Sequence, residues 1–441
     1  MNELPLLPHD STTWVNNQNA TCYIRGAVGV KKVHIHRCYT HLKNHSMQLS
    51  FIIGAGFSVP DNYPTRKELN ERLRRISHSE IMIHTDGTAM FLSDQTDPNA
   101  SWTNVRQKLF VEKFINFYTS TIIPNVNSFD YETFFDYYQG LHYGRFKCEQ
   151  FNSFADDFRK ENNYQFDNTN LLGQFHNTFN QLLACLLKRC SERNHLGKFY
   201  NKYPEFLTFI EEIRDSYDKI HFHSLNHDLL IEELSFSDAM QTELSDGFEE
   251  LGSPFYSKNN DYLTVRLKRF TNNFDKKFCL YKLHGSIDHY IYNFKNNEYN
   301  SVKVPYGVSS NDLMREFIND NGELEYDKCF WNYYPDFLSG TTEKIASYQE
   351  QHFYKPLFDH FVENLRNSEC LISIGYGLGD SKINEFIMDN FLKVKSKIMI
   401  IITPDKPKSE LFKLENVKYF GLHKGVQHIN KLEIEEFMKN S

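Results

Sequence analysis

The chain has no C-x-x-C pair. Its 8 cysteines, Cys22, Cys38, Cys148, Cys185, Cys190, Cys279, Cys329 and Cys370, are scattered over 441 residues. The spacing removes the strongest sequence signal for a zinc ribbon and, in a chain of this length, points to free thiols in a reducing compartment. No long Lys/Arg run occurs and the formal charge is -8 at pH 7, which argues against a protein that coats nucleic acid. No apolar run approaches the ~20 residues needed to span a bilayer. The N-terminus lacks the charged, apolar and small-residue order of a secretory signal. A cytoplasmic protein is expected, with no membrane and no direct nucleic-acid contact.

What is present is an ordinary globular composition, 40% hydrophobic and 24% charged, long enough for a large core or about two to three lobes. Aromatics reach 15%, with 38 Phe and 26 Tyr, and core packing is the expected use. Residues 1–46 are polar and aperiodic and form an N-terminal extension ahead of Met47, itself a candidate start. They hold His34, His36, Cys38, His41 and His45, whose spacing matches no defined zinc finger. A metal site is one reading of this cluster; an interaction arm or a poorly ordered extension is the plainer one.

Ser50 to Ser58 reads as a short buried strand ending in Gly54-Ala55-Gly56, and Pro64 to Leu69 as a turn feeding a helix. Glycine lets a backbone approach a phosphate, and a helix N-terminus offers it free N–H groups. Val59 stands where a dinucleotide fingerprint has its third glycine, so the loop alone reads equally as a tight βα turn. From 66 to 217 helical periodicity dominates, over Val105–Ile123, Tyr131–His142 and Leu171–Lys188, with Asp130 as a cap; this is a largely helical insertion.

Strand-like runs then recur: Lys219–Ser224, leading directly into a helix over Leu225–Leu234, and Phe278–Leu283, followed by a hairpin over Ile287–Val304 turning at Asn296-Asn297. Ser235 to Lys277 reads as loops with one short strand near Leu263–Leu267. A helix over Phe353–Asn367, a strand over Leu371–Tyr376, a helix over Ser381–Leu392 and strands at Ile398–Thr403 and Val417–Leu422 complete the pattern. Strands alternating with helices predict an α/β fold, a Rossmann-like doubly wound, mainly parallel sheet with a helical insertion lobe, spanning 47–441.

In such a sheet, ligands bind beyond the carboxyl ends of the strands. The segments that fall there are Gly54-Ala55-Gly56-Phe57-Ser58, Asn226-His227-Asp228, His284-Gly285-Ser286 and Gly375-Tyr376-Gly377-Leu378-Gly379-Asp380. Taken singly, Asn226, Asp228 and Asp380 also read as helix caps, His284 as a turn histidine and the glycines as loop geometry. Their common polarity and order favour one crevice.

The succession G-A-G-F-S … P-T, S-x-N-x-D-x-L-x-E, K-L-H-G-S and G-Y-G-L-G-D-x-x-I-N resembles the sirtuin-like NAD-binding fold, in particular its divergent bacterial branch from anti-phage defence systems. The resemblance covers the sheet-forming parts from Met47 to about Leu422. It implies that Gly54, Ala55, Gly56 and Ser58 wrap the NAD phosphates. Asn226 and Asp228 would serve the nicotinamide and its ribose, and His284 would be catalytic. Gly375, Asp380 and Asn384 would hold the adenosine half, with Phe57, Thr65, Gly285, Ser286 and Tyr376 completing the NAD-contacting set. The four-cysteine zinc module of sirtuin deacetylases is missing after His284, so no zinc is expected.

That departure favours simple hydrolysis of NAD+ to nicotinamide and ADP-ribose over deacylation. Breaking the nicotinamide–ribose bond builds an oxocarbenium-like centre and needs a held nucleophile more than an acid. The resemblance further implies a toxic effector of abortive infection, kept quiet by homo-oligomer assembly or a HerA-type ATPase partner. The alternatives are an ADP-ribosyltransferase or deacylase, and a non-catalytic NAD or ADP-ribose-binding subunit of a defence assembly.

Overall fold

The computed structural model describes residues 47–83, 89–94, 105–124, 129–165, 167–192, 202–260, 263–294, 298–305, 308, 313–327, 335–337 and 352–421. The histidine-rich segment with His34, His36, Cys38, His41 and His45, the Asn296-Asn297 turn and Leu422 lie outside the described residues.

Seven strands make one parallel sheet: β1 (Gln48–Ile53), β2 (Lys219–Ser224), β3 (Leu244–Ser245), β4 (Phe278–Lys282), β5 (Cys370–Ile374), β6 (Ile398–Thr403) and β7 (Val417–Gly421). Their spatial order is β7-β6-β5-β1-β2-β4-β3, with every pairing parallel. This is the Rossmann-like doubly wound α/β sheet the sequence predicts. The strands read as unbroken apolar runs because both faces are covered. On β1, Leu49, Phe51 and Ile53 enter one core while Ile52 enters the other.

Helices α1 (Arg66–Arg74), α2 (Val105–Phe117), α3 (Tyr131–His142), α4 (Glu149–Glu161) and α5 (Asn168–Glu192) build the insertion lobe. Its core is aromatic: Phe110, Phe114, Phe134, Phe151, Phe158, Phe175 and Phe179 are all buried. Phe114 and Phe175 meet edge to face at 4.9 Å, and each such ring contributes about 1.5–3 kcal/mol by burial. The Phe and Tyr stripes are therefore core. α2 does not run regularly to Ile123; it widens into a π-helical turn over Tyr118–Ile122. There Ser120 Oγ donates to Asn116 O at 2.7 Å, a side-chain bond that competes with the helical ladder.

Helices α6 (Pro204–Arg214) and α7 (Leu230–Leu234) cover one face of the sheet, and α8 (Tyr354–Asn367) and α9 (Ser381–Ile387) the other. The helix expected over Leu225–Leu234 starts only at Leu230. Leu225 N still bonds to Ile53 O at 2.9 Å, and Asp228 Oδ1 accepts from Leu230 N at 3.1 Å, so 225–229 is a loop held by its own polar side chains. α9 likewise stops at Ile387 and continues as a wide turn, Met388–Leu392.

Two further four-stranded sheets include the predicted hairpin, His289–Phe294 against Glu298–Lys303, and a set built on Phe255–Asn260, Leu263–Arg266, Met314–Ile318 and Leu324–Asp327. Between Ser235 and Lys277, where the sequence predicts mostly loops, the chain forms several strands. Those strands are short and polar and carry little alternation. No helix among the described residues is long and apolar enough to cross a membrane.

Candidate functional site

From β1 the chain lays β2 and β4 to one side, then returns to place β5, β6 and β7 on the other. The winding reverses between β1 and β5, the position at which such sheets open a crevice. A cleft of about 430 Å³ lies there, within the size range of small-molecule sites. Its walls take Gly54, Ala55 and Ser58 from the loop after β1, and Asn226 and Asp228 from the loop after β2. His284 comes from the loop after β4, and Gly375, Tyr376 and Asp380 from the loop after β5.

The glycines fit two loops against each other. Gly54 N donates to Ile374 O and Gly56 N to Gly375 O, each at 2.9 Å. A Cβ on Gly54 would lie 2.6 Å from Tyr376 Cα, and one on Gly56 2.9 Å from Gly375 Cα. Gly375 itself sits at φ +67, in the left-handed region. Past Gly54 the chain makes tight turns at Ala55–Phe57 and Val59–Asp61 before α1 begins. The Phe57 ring is buried against Tyr203 and Phe206, and Tyr203 OH donates to Phe57 O at 2.8 Å.

Thr65 caps α1: its Oγ1 donates to Glu68 Oε2 at 2.8 Å and accepts from Glu68 N at 3.3 Å, a capping box. Gly56, Phe57 and Thr65 thus stand behind the cleft wall, while Pro64 and Arg66 face the cleft.

Ser58, Asn226 and Asp228 form one buried chain. Asn226 Nδ2 donates to Gly54 O and to Ser58 Oγ, both at 3.0 Å, and Ser58 Oγ donates to Asp228 Oδ2 at 2.7 Å. Both Asn226 amide hydrogens are used, which leaves Oδ1 as its remaining acceptor. The Ser58 hydroxyl is spent on orienting this pair.

His284 is 5% exposed, and its Nε2 lies 3.5 Å from Asp380 Oδ2. Gly285, at φ +77, turns the chain where a Cβ would meet Asp336 O. Ser286 Oγ and Ile287 N both donate to His227 O, at 3.3 and 3.0 Å, tying the His284 loop to the Asn226 loop. Tyr376 OH bonds Asp380 O, Asp380 N and Asn384 Oδ1 at 3.0, 3.1 and 3.1 Å. Gly285, Ser286 and Asn384 are not among the residues that line the cleft.

Behind the Asn226 loop is a buried charge cluster. Lys303 Nζ lies 2.6 Å from Asp246, 3.5 Å from Glu232 and 3.6 Å from Asp288. Lys282 Nζ reaches Glu232 at 3.9 Å and also donates to Asp228 O. Burial opposes ionisation of Asp288, but Lys303, His289, Ser286 and Lys282 outweigh it and hold the carboxyl at about 2. Burial dominates at Glu232 and raises it. Two lysines face three carboxyl groups here, and Glu232 is the one that burial pushes toward its neutral form. These are the Lys of K-L-H-G-S and the Glu of S-x-N-x-D-x-L-x-E; both motifs owe part of their pattern to this support.

Sequence reasoning missed Tyr63, from the loop before α1, and the lobe's share of the cleft: Arg66, Tyr131, Glu132 and Leu187. Arg66 is fixed by Asp130 at 2.7 Å and Glu132 at 3.1 Å, a pairing across more than sixty positions that no local pattern signals. His227, Gly377 and Gly379 also face the cleft, and their place inside recognised motifs was the available signal. Among the described residues, no group of three or more His, Cys, Asp or Glu is arranged to hold a metal ion.

No protein-family profile matches the chain, and no curated protein matches it. Among solved structures it is similar to a Sir2 homologue in complex with NAD, at 12% identity over 90% of this chain and 89% of that one, with a TM-score of 0.32. A structure of Sir2 enzymes gives 11% identity over 90% and 94%, with a TM-score of 0.33. A structure addressing sirtuin substrate affinity gives 9% identity over 90% and 95%, with a TM-score of 0.30. Likeness at this level leaves the fold to be read from this chain's own strand order.

Proposed function

We propose that the protein is an NAD+ hydrolase that cleaves the nicotinamide–ribose bond to give nicotinamide and ADP-ribose. The observation that carries this reading is the Asn226–Ser58–Asp228 chain, which fixes a buried amide with its carbonyl oxygen as the free acceptor, in the cleft that also holds His284. Asn226 Oδ1 accepts a hydrogen from the attacking water. The C–N bond breaks and nicotinamide leaves with its electron pair. The water oxygen bonds the ribose carbon and gives one proton to His284, which releases it to solvent. NAD+ and water thus become ADP-ribose, nicotinamide and a proton.

In keeping with the sequence resemblance, the reaction serves to deplete NAD+ as an effector of anti-phage defence, with homo-oligomer assembly or a HerA-type ATPase partner controlling it. The deciding experiment is chromatography of nicotinamide and ADP-ribose released from NAD+ by purified protein. Wild type, Asn226→Ala and His284→Ala are compared, with and without the product of a neighbouring ATPase gene. Product from wild type only supports the reading; no product under any condition removes it.

A further inference from the structure

Asp380 comes from the loop after β5, whereas His284 follows β4. β5 and β4 are separated in the sheet by β1 and β2, about 14 Å at ordinary strand spacing. The Gly375–Asp380 loop is therefore carried over the ends of two strands to bring a carboxylate 3.5 Å from the His284 imidazole.

The loop is built for that reach. Gly375 and Leu378 both adopt positive φ, +67 and +56, a conformation that is costly for leucine. Gly377 and Gly379 have open space where a Cβ would stand. Tyr376 OH grips both backbone polar atoms of Asp380, and Asn384 Nδ2 holds Leu378 O at 2.8 Å. Asp380 Oδ1 accepts from Lys382 N and Ile383 N at 3.0 and 3.1 Å. With Oδ1 committed to the helix, Oδ2 is the oxygen turned to His284.

We infer that Asp380 is the positioning residue for His284, its Oδ2 fixing the Nε2 edge of the imidazole in the cleft. This rests on the hydrolase reading above and departs from the adenosine role that the resemblance implies for Asp380. A carboxylate beside an imidazole also favours the imidazolium that forms when the proton arrives.

The test uses the full chain and the variants Asp380→Asn, Asp380→Glu, His284→Ala and the Asp380→Asn/His284→Ala double. Asparagine retains the cap at α9 and removes the charge. In NAD+ turnover, Asp380→Asn is expected to lower kcat roughly 100-fold with KM changed less than about 3-fold, and Asp380→Glu to recover part of it. In the His284→Ala background, Asp380→Asn is expected to cost nothing further. A raised KM with kcat intact, or losses that add, overturns the inference.

A second readout does not need turnover. Carbethoxylation of His284, followed by mass spectrometry across pH, reports its titration. Asp380→Asn is expected to lower that midpoint by about 1 unit. The other ionisable groups on the cleft, His227, Asp228, Arg66, Glu132, Lys382, Tyr63, Tyr131 and Tyr376, are the same residues in both proteins. An unmoved midpoint overturns the inference whether or not the protein hydrolyses NAD+. A shifted midpoint without turnover supports it and places the failure on the hydrolase reading instead.

Discussion

Ser58 Oγ donates to Asp228 Oδ2 at 2.7 Å across 170 positions of sequence, with both groups buried. The same hydroxyl accepts from Asn226, so one serine sets the direction of the amide that would hold water. Ser58→Ala is expected to leave Asp228 Oδ2 and one Asn226 amide hydrogen without their Ser58 partner, costing about 1–3 kcal/mol of stability. NAD+ turnover should fall about 10- to 100-fold, mainly in kcat, because the amide is then held by Gly54 O alone. Steady-state kinetics beside urea unfolding checks both numbers; turnover equal to wild type would remove Ser58 from the machinery.

The glycines of the two loops are not equivalent. A Cβ on Gly375 would overlap the backbone of Gly56 and Phe57, and the residue sits at φ +67; one on Gly377 meets nothing. Gly375→Ala is expected to destabilise the protein by 2 kcal/mol or more, about 1–2 from the left-handed backbone alone. Gly377→Ala should change stability by less than about 0.5 kcal/mol. Urea midpoints of the two variants, compared side by side, test the distinction.

Much of this was readable from sequence. The parallel sheet declared itself because its strands are doubly buried and therefore continuously apolar, as in Ile398–Thr403. The motifs at the strand ends do meet in one cleft, because the parallel order places all their carboxyl ends on one edge. What the sequence hid was which atoms face the ligand space. Ser58 and Asp380 read as ligand contacts, yet their bonds go first to Asp228 and to the α9 backbone and His284. The lobe's contribution was hidden too, because Arg66 reaches Asp130 and Glu132 only through the tertiary fold. The start of α7 was misplaced because Asp228 bonds Leu230 N and holds the preceding residues out of the helix.

Acid should weaken the fold above the ordinary carboxylate range. Burial lowers His176, His221 and His289 to about 3, and pushes His223 well below its ordinary value. The unfolded chain therefore binds more protons than the folded one below about pH 6.5. Their stabilising contribution is full above that value and is lost as pH falls toward about 3. Each histidine contributes about 1.4 kcal/mol per pH unit within the window. Asp336 works the other way, since burial raises it to about 6 and its folded form takes up a proton first. Urea midpoints between pH 7.5 and 5 should fall steeply. His221→Gln should make that fall shallower by about one histidine's slope; an unchanged slope would mean that His221 is protonated in the fold.

The charge cluster supports the site from behind. Lys303 sits among Asp246, Glu232 and Asp288, and those partners outweigh burial to keep its ammonium charged above the usual lysine range. Lys303→Met would leave three carboxylates buried with Lys282 alone, and a loss of about 3–5 kcal/mol is expected. Adding Asp246→Asn should recover part of that loss, since it removes the carboxylate closest to the missing ammonium. Lys282→Met acts differently, because Lys282 also donates to Asp228 O and thereby holds the Asn226–Asp228 loop. Its loss should lower kcat for NAD+ at least 10-fold even under conditions where the variant stays folded, as judged by circular dichroism. The two lysines separate stability from positioning: equal effects of both substitutions on kcat per folded molecule would show that Lys282 has no role beyond the cluster.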